Sequence, residues 1–325
     1  MTIKEFKKYC RNNESACDIF IKAKKYLDTY NNPACFVSGG ADSDVMMDII
    51  YCADDDKKVR YVYFDTGLEM EATKRQIKNL KEKYSVDIET VKPEEPIPVA
   101  VKKYGYPIFN KLTSEYIDRL QKHGFDFTDE PFTELHERYS RCDGALKWWC
   151  NDHNRDDRFN INNIKYLKDY MLENKPDVKI SPDCCLSTKK NPSKKYCREN
   201  NVDLKIIGVR KDEGGARSTA FKSCFTECNK QGIAEFRPLW WMTNKDRTDY
   251  VNIVGIQHSD AYTVYGFHRT GCAGCPFGRY MQKELETLRM FEPKLYKACM
   301  NVFGASYDYM DGFYRYRDEK KKLNT

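Results

Sequence analysis

Two stretches of the chain carry residue types whose spacing could do chemistry. The first is Ser38-Gly39-Gly40-Ala41-Asp42-Ser43. Adjacent glycines permit backbone angles that a Cβ would forbid, so this turn can aim several N–H groups into one concavity. A helix that opens with Asp42 and Ser43 would add its unsatisfied N–H groups and its positive dipole end, which together favour a phosphate. The second stretch is a set of thiols, the adjacent pair Cys184-Cys185 and the motif Cys272-Ala273-Gly274-Cys275. Thiols spaced as CxxC can bind zinc, hold an iron–sulfur cluster or exchange disulfides. Residue types alone leave those three open.

The elements around the first stretch read clearly. Ala34 to Val37 is a short apolar run suited to a buried strand, and Val45, Met46, Ile49 and Ile50 recur at helical spacing behind the turn. The order is therefore strand, glycine turn, helix. Val59 to Phe64 predicts a second strand that ends in Asp65-Thr66-Gly67, followed by a helix over Glu71 to Tyr84. Val86 to Val91 predicts a third strand, and Leu204 to Val209 a later one that ends in Arg210. Strands alternating with helices imply an α/β fold with a doubly wound parallel sheet, whose ligands lie beyond the strand C-termini. Five segments are expected: N-terminal helices over 1–32, a nucleotide-binding half over 33–110, a helical insertion over 111–180, a second half with the cysteine motifs over 181–282, and a helical tail over 283–325. In the insertion, helices are expected over Leu112 to His123 and Ile161 to Leu172, and Trp148-Trp149 reads as core packing ahead of a base-stacking surface.

Composition narrows the class. The chain has 325 residues, 41% of them hydrophobic, and no run approaches the roughly 18 apolar residues a membrane span needs. The charged N-terminus lacks a signal-peptide core, so a soluble cytoplasmic protein without a membrane partner is expected. A net charge of +6 permits a polyanionic partner without requiring one. Fourteen cysteines in a reducing compartment read as buried small residues where scattered, as at Cys10, Cys17, Cys35 and Cys52, and as ligands where clustered. Cys224 and Cys228 are spaced for one face of a helix and could replace one ligand.

Ser38–Ser43 resembles the SGGxDS pyrophosphate loop of the adenine nucleotide α-hydrolase-like superfamily, which holds ATP pyrophosphatases and the PAPS and APS reductases. Phe64-Asp65-Thr66-Gly67 with Glu71 and Thr73 resembles its second motif. A tandem cysteine pair followed much later by CxxC resembles the [4Fe–4S] signature of APS reductases and their relatives. The elements between also fit: Lys190 and Pro192 after the pair, Gly208-Val209-Arg210 at a strand end, and Pro238-Leu239-Trp240-Trp241. Arg269-Thr270-Gly271-Cys272 and the stretch Lys297 to Asn301 resemble phage and mobile-element members. The resemblance spans about 33–312 and implies these roles: Ser38, Gly39, Gly40, Ala41, Asp42, Ser43, Asp65, Thr66, Gly67, Arg210 and Arg217 around an adenine nucleotide (ATP, PAPS or APS); Asp42 and Asp65 on Mg2+; Arg210 catalytic alongside them; and Cys184, Cys185, Cys272 and Cys275 on the cluster. A Zn(Cys)4 site and a three-cysteine cluster stay open as alternatives.

Two departures shape the activity that the resemblance implies. Ala41 stands where many pyrophosphatase members carry Lys, so a point charge on the phosphates is missing. Phe313 to Thr325 contains no cysteine, whereas assimilatory sulfonucleotide reductases end in Glu-Cys-Gly. The favoured reading is ATP-dependent activation of an acceptor followed by sulfur transfer, with a nucleic acid or small acceptor, a sulfur-donor protein and a homodimer as the partners considered. The alternatives are a sulfonucleotide reductase using an external thiol, and a catalytically weak nucleotide-binding Fe–S module of a defence or mobile-element complex.

Overall fold

The structure is a computed structural model that describes residues 1–153, 159–214, 220–228 and 232–323. It divides into two compact units, each made of two chain segments: Met1–Glu94 with Lys189–Cys272, and Glu95–Thr188 with Ala273–Thr325.

The first unit is built on a six-stranded sheet. Its strands are β1 (Pro33–Val37), β2 (Arg60–Phe64), β3 (Ile88–Val91), β4 (Leu204–Ile207), β5 (Phe225–Thr226) and β6 (Ala234–Phe236), in the order β3-β2-β1-β4-β6-β5. All neighbours are parallel except β5, which runs antiparallel to β6 at the edge. The expected α/β class with a parallel sheet is therefore the observed one. The short edge pair β5 and β6 escaped the sequence reading. Phe225 and Thr226 are too brief a run to show periodicity, and Cys224 and Cys228 flank this strand and do not share a helical face.

Register aligns the functional ends. Val37 pairs with Tyr63 and Phe36 with Ile207, so β1, β2 and β4 finish side by side. Connections leave β1 toward β2 on one side and return to β4 on the other. That reversal is the crevice where ligands of open α/β sheets bind. Behind it the helix Ala41–Ala53 is buried on almost every face, its apolar residues together with Ser43, Asp44 and Asp48. Its one carboxylate at mid-length, Asp48, accepts hydrogen bonds from the hydroxyls of Tyr9, Tyr84 and Tyr250, the last two at 2.6 Å. A buried carboxylate needs such partners to stay in a core.

The second unit is helical. Lys111–Lys122 forms as expected, and Trp148 and Trp149 are buried, with Trp148 stacked on Tyr116 at 5.4 Å. The expected helix over Ile161 to Leu172 is broken. A single 3-10 turn covers Ile161–Asn163, Tyr166 takes a left-handed φ of 68°, and Leu167–Glu173 is a separate helix. The tail forms two helices, Met281–Phe291 and Pro293–Leu323, divided at Glu292 by Pro293, which cannot extend a helix backwards. Phe109, Tyr170, Tyr309 and Phe313 pack edge-on against one another along the longer helix. Among the described residues, no helix is long and apolar enough to cross a membrane.

Candidate functional site

At the end of β1 the chain turns through Gly39, whose φ of +63° is costly for any residue with a Cβ. A Cβ there would also press on the carbonyl oxygen of Thr73 at 3.2 Å. Gly40 then caps the helix Ala41–Ala53 without a side chain, so the N-cap residue itself takes none of the first-turn N–H groups. The turn is closed from within, because the Ser43 hydroxyl accepts the Ser38 N–H at 2.8 Å. Three hydroxyls crowd the open side of Gly40: a Cβ placed there would meet Thr270 Oγ1 at 3.0 Å, Tyr262 OH at 3.2 Å and Ser38 Oγ at 3.3 Å. Tyr262 also accepts the Ala41 N–H at 3.2 Å and shares a hydrogen bond with Thr270 at 3.1 Å.

This turn floors a cleft of about 280 Å3 that lies wholly within the first unit. Its walls include Arg210 at the end of β4, Asn244 and Arg247 from the helix Asn244–Val254, and His268, Arg269 and Thr270. Gly208 lets β4 approach closely, since a Cβ there would lie 3.4 Å from the backbone of Asp42 and Ser43. Asp42 sits among cations. Its Oδ1 accepts from Arg210 Nε at 2.8 Å and from Arg247 Nη1 at 2.9 Å. Arg210 is further tied to the Met242 carbonyl and to Asn244 Oδ1. Glu213 accepts the Arg210 N–H and lies 3.8 Å from Arg269.

Ser38, Gly40, Ala41, Asp42, Ser43 and Arg210 thus line one cleft, and Gly39 shapes its floor. Asp65 and Gly67 form a local turn in which Asp65 Oδ1 accepts the Gly67 N–H at 2.9 Å. Thr66 points inward, donating to the buried carboxylate of Glu69 at 2.7 Å and lying 3.6 Å from Cys272 Sγ. Burial pushes the Glu69 carboxyl above its ordinary pKa, with Lys189 opposing the shift. Arg217 lies outside the described residues. The sequence reading missed Arg247, His268, Arg269 and Tyr262. Nothing in the sequence sets Arg247 apart from the other charged residues of its helix. Arg269 and Thr270 stood next to the CxxC motif and were read only as part of it.

Asp42 and Asp65 are of the donor type Mg2+ takes, yet only Asp42 lines the cleft, where its Oδ1 is held by Arg210 and Arg247, while Asp65 stays in its local turn. The four candidate cluster ligands fall in different units: Cys272 closes the first, while Cys184, Cys185 and Cys275 belong to the second. Cys184 is buried and the other three are partly exposed. Among the described residues, no three His, Cys, Asp or Glu side chains gather as a metal group. The cysteine pair opens a helical run that passes through a π turn over Leu186–Lys190, a form often found at functional sites. Within the second unit the CxxC turn is tightly held. Gly274 has φ +60°; its N–H is accepted by Glu284 at 3.0 Å, and its carbonyl accepts from Tyr307. Burial pushes the Glu284 carboxyl up to about 7, while the Gly274 hydrogen bond opposes the rise. Cys299 is buried and donates to the Ala273 carbonyl at 3.4 Å, a packing role that leaves it poorly placed as a nucleophile.

Similar solved structures include the following three. A PAPS reductase from Candida auris, in a phosphate complex, has 13% identity and a TM-score of 0.43 over 77% of this chain and 86% of its own. The U34-tRNA thiolase NcsA from Methanococcus maripaludis, with its [4Fe-4S] cluster, has 13% identity and a TM-score of 0.36 over 90% of this chain and 78% of its own. An NH3-dependent NAD synthetase from Campylobacter jejuni, in complex with nitrate, has 9% identity and a TM-score of 0.38 over 95% and 96%. No curated protein sequence matches. The profile of the phosphoadenosine phosphosulfate reductase domain, by contrast, matches residues 32–124 and 121–277, which is most of the chain and includes the loop, Asp65–Gly67, Arg210 and all four candidate ligands. The chain belongs to the phosphoadenosine phosphosulfate reductase domain family.

Proposed function

We propose that this protein binds an adenine nucleotide with its phosphate chain on the Ser38–Ser43 turn, and uses it to activate an acceptor oxygen for replacement by sulfur. The observation that carries the reading is the cleft itself: a glycine-capped helix N-terminus, four hydroxyls and three arginines against two carboxylates around one volume. Backbone N–H groups and guanidinium forks suit phosphate oxygens. In the activation step the acceptor oxygen attacks the α-phosphorus of ATP, the α–β bond breaks and pyrophosphate leaves. A sulfur nucleophile then displaces AMP from the adenylated acceptor. Asp42 and Asp65 would hold Mg2+, which would offset charge on the leaving pyrophosphate. Tyr262, Thr270 and Ser38 would orient phosphate oxygens and exclude water.

Family membership and sequence spacing support Cys184, Cys185, Cys272 and Cys275 as ligands of a [4Fe–4S] cluster. When bound, such a cluster supplies redox or sulfur-handling chemistry. A nucleic acid or small acceptor and a sulfur-donor protein complete this proposal. Sulfonucleotide reduction with an external thiol is the second reading, favoured by the family's own name. Ala41 is the observation behind a third, a nucleotide-binding module with slow turnover.

One pair of assays separates them. Protein purified without oxygen and given ATP and Mg2+ should release pyrophosphate, slowly, and faster after Ala41→Lys. Sulfite released from PAPS in the presence of a thiol, with no pyrophosphate from ATP, would replace the first reading by the second. An iron assay on the same sample should find iron; one zinc and no iron would exclude the cluster.

A further inference from the structure

We propose that Arg247 is the cation that grips the anion in this cleft, and that Arg210, expected from sequence to do so, is a positioning residue that acts through Asp42. This rests on the reading of the cleft as a site for phosphate or phosphosulfate oxygens.

The two guanidiniums meet the same carboxylate oxygen yet differ in what they have left to offer. Arg210 is spent inside the wall. Nε goes to Asp42 Oδ1, Nη1 to the Met242 carbonyl and Nη2 to Asn244 Oδ1, and only 4% of its side chain is exposed. Turning it toward a ligand would break three internal bonds. Arg247 makes a single hydrogen bond among the described residues, Nη1 to Asp42, and 26% of its side chain is exposed. Its Nε is buried with no acceptor among the described residues. A buried donor on a charged group without a partner is costly, and such a group in a native site calls for an explanation.

Charge gives the same answer. Asp42 is shared by two permanently protonated guanidiniums, and Arg210 has a second carboxylate, Asp212, 3.9 Å from its Nη1. Arg210 takes the shorter contact, has Asp212 beside it and is fixed on three sides, so the less compensated charge falls on Arg247. An anionic oxygen entering over the Ser38–Ser43 turn would find there a planar fork able to make two parallel bonds. Asp42 holds that fork at the cleft wall until the anion arrives, and Arg210 holds Asp42. The arrangement places a guanidinium where the turn itself, with Ala at position 41, provides none.

The test is calorimetry on the full chain with inorganic pyrophosphate and, separately, adenosine as probes. Arg247→Ala should weaken pyrophosphate binding at least tenfold and change adenosine binding less than twofold. Arg247→Lys should restore part of the loss, because it returns the charge without the fork. Thermal unfolding supplies the contrast: Arg210→Ala should lower Tm clearly, whereas Arg247→Ala should leave it within a degree or two. Unchanged pyrophosphate affinity in a folded Arg247→Ala variant would overturn the proposal, as would equal losses for both probes or no pyrophosphate binding by the parent protein. If the parent binds pyrophosphate through Arg247 but binds neither adenosine nor ATP, the arginine assignment stands and the nucleotide reading fails. If ATP binds and Arg247→Ala leaves pyrophosphate affinity intact, the nucleotide reading stands and the arginine assignment fails.

Discussion

Two glycine turns, the Ser38–Ser43 turn and the one around Gly274, make opposite use of their backbones. At Ser38–Ser43 the N-cap residue Gly40 has no side chain to spend on the helix, Ser43 and Tyr262 take the N–H groups of Ser38 and Ala41, and Gly40 faces a cleft rimmed by hydroxyls and guanidiniums. At Cys272–Cys275 the groups around Gly274 are already answered by the protein: Glu284 accepts its N–H, Tyr307 donates to its carbonyl, and Cys299 donates to the carbonyl of Ala273. The first turn keeps polar capacity for something from outside. The second spends it on holding its own shape, so that what it can present is the thiols beside it. A glycine-rich motif is therefore not in itself a binding site; what matters is where its N–H groups already go.

The comparison predicts that the two turns fail differently when a single methyl group is added. Gly274→Ala should have the larger effect. The left-handed φ disfavours any Cβ, and this one would sit 2.7 Å from the Tyr307 hydroxyl and 3.0 Å from Cys299. A destabilisation of roughly 2–5 kcal/mol is expected, combining backbone strain with overpacking. Chemical denaturation would measure it. A loss below 1 kcal/mol would mean that the turn is looser than described.

Next in size is the pH response of the same turn. Glu284 has a folded pKa near 7 against an ordinary 4.5, so the native state keeps a proton that the unfolded chain gives up. Stability should be greatest below about pH 4.5, fall through the window up to about 7 and level off above it, by roughly 1–3 kcal/mol in all. Glu284→Gln keeps an acceptor for the Gly274 N–H and removes the titration. Unfolding followed from pH 4 to 8 should show the flatter profile in that variant; parallel profiles would dismiss the carboxyl as the cause.

Gly40→Ala should disturb the fold least, by less than about 1 kcal/mol. Its φ of −92° is ordinary, and the neighbours of the new methyl are hydroxyl groups that can shift by a few tenths of an ångström. The methyl would nevertheless occupy the space over the cradle.

How much of this was legible beforehand follows from what each feature depends on. The first three strands, their helices and the glycine turn are local patterns: apolar runs, a helical period and a residue type with one conformational use. They could be read from Ala34 to Val91 without tertiary information. Arg247 could not, because its partner Asp42 is brought to it only by the β1–β4 adjacency of the sheet. Nor could the role of Cys299, which depends on the long C-terminal helix meeting the Ala273 carbonyl. The break at Tyr166 was hidden by an apolar spacing that continues through it, and the two-residue strand β5 was too short to leave a signal.

The central claim is that the Ser38–Ser43 turn is an open phosphate cradle, and titration of ATP into the parent protein and into Gly40→Ala, each with Mg2+ and each checked for unchanged Tm, tests it most directly. The account predicts saturable ATP binding by the parent and an affinity at least tenfold lower in the variant, about 1.4 kcal/mol. Equal ATP affinity in the two proteins, or no ATP binding by the parent, would contradict it.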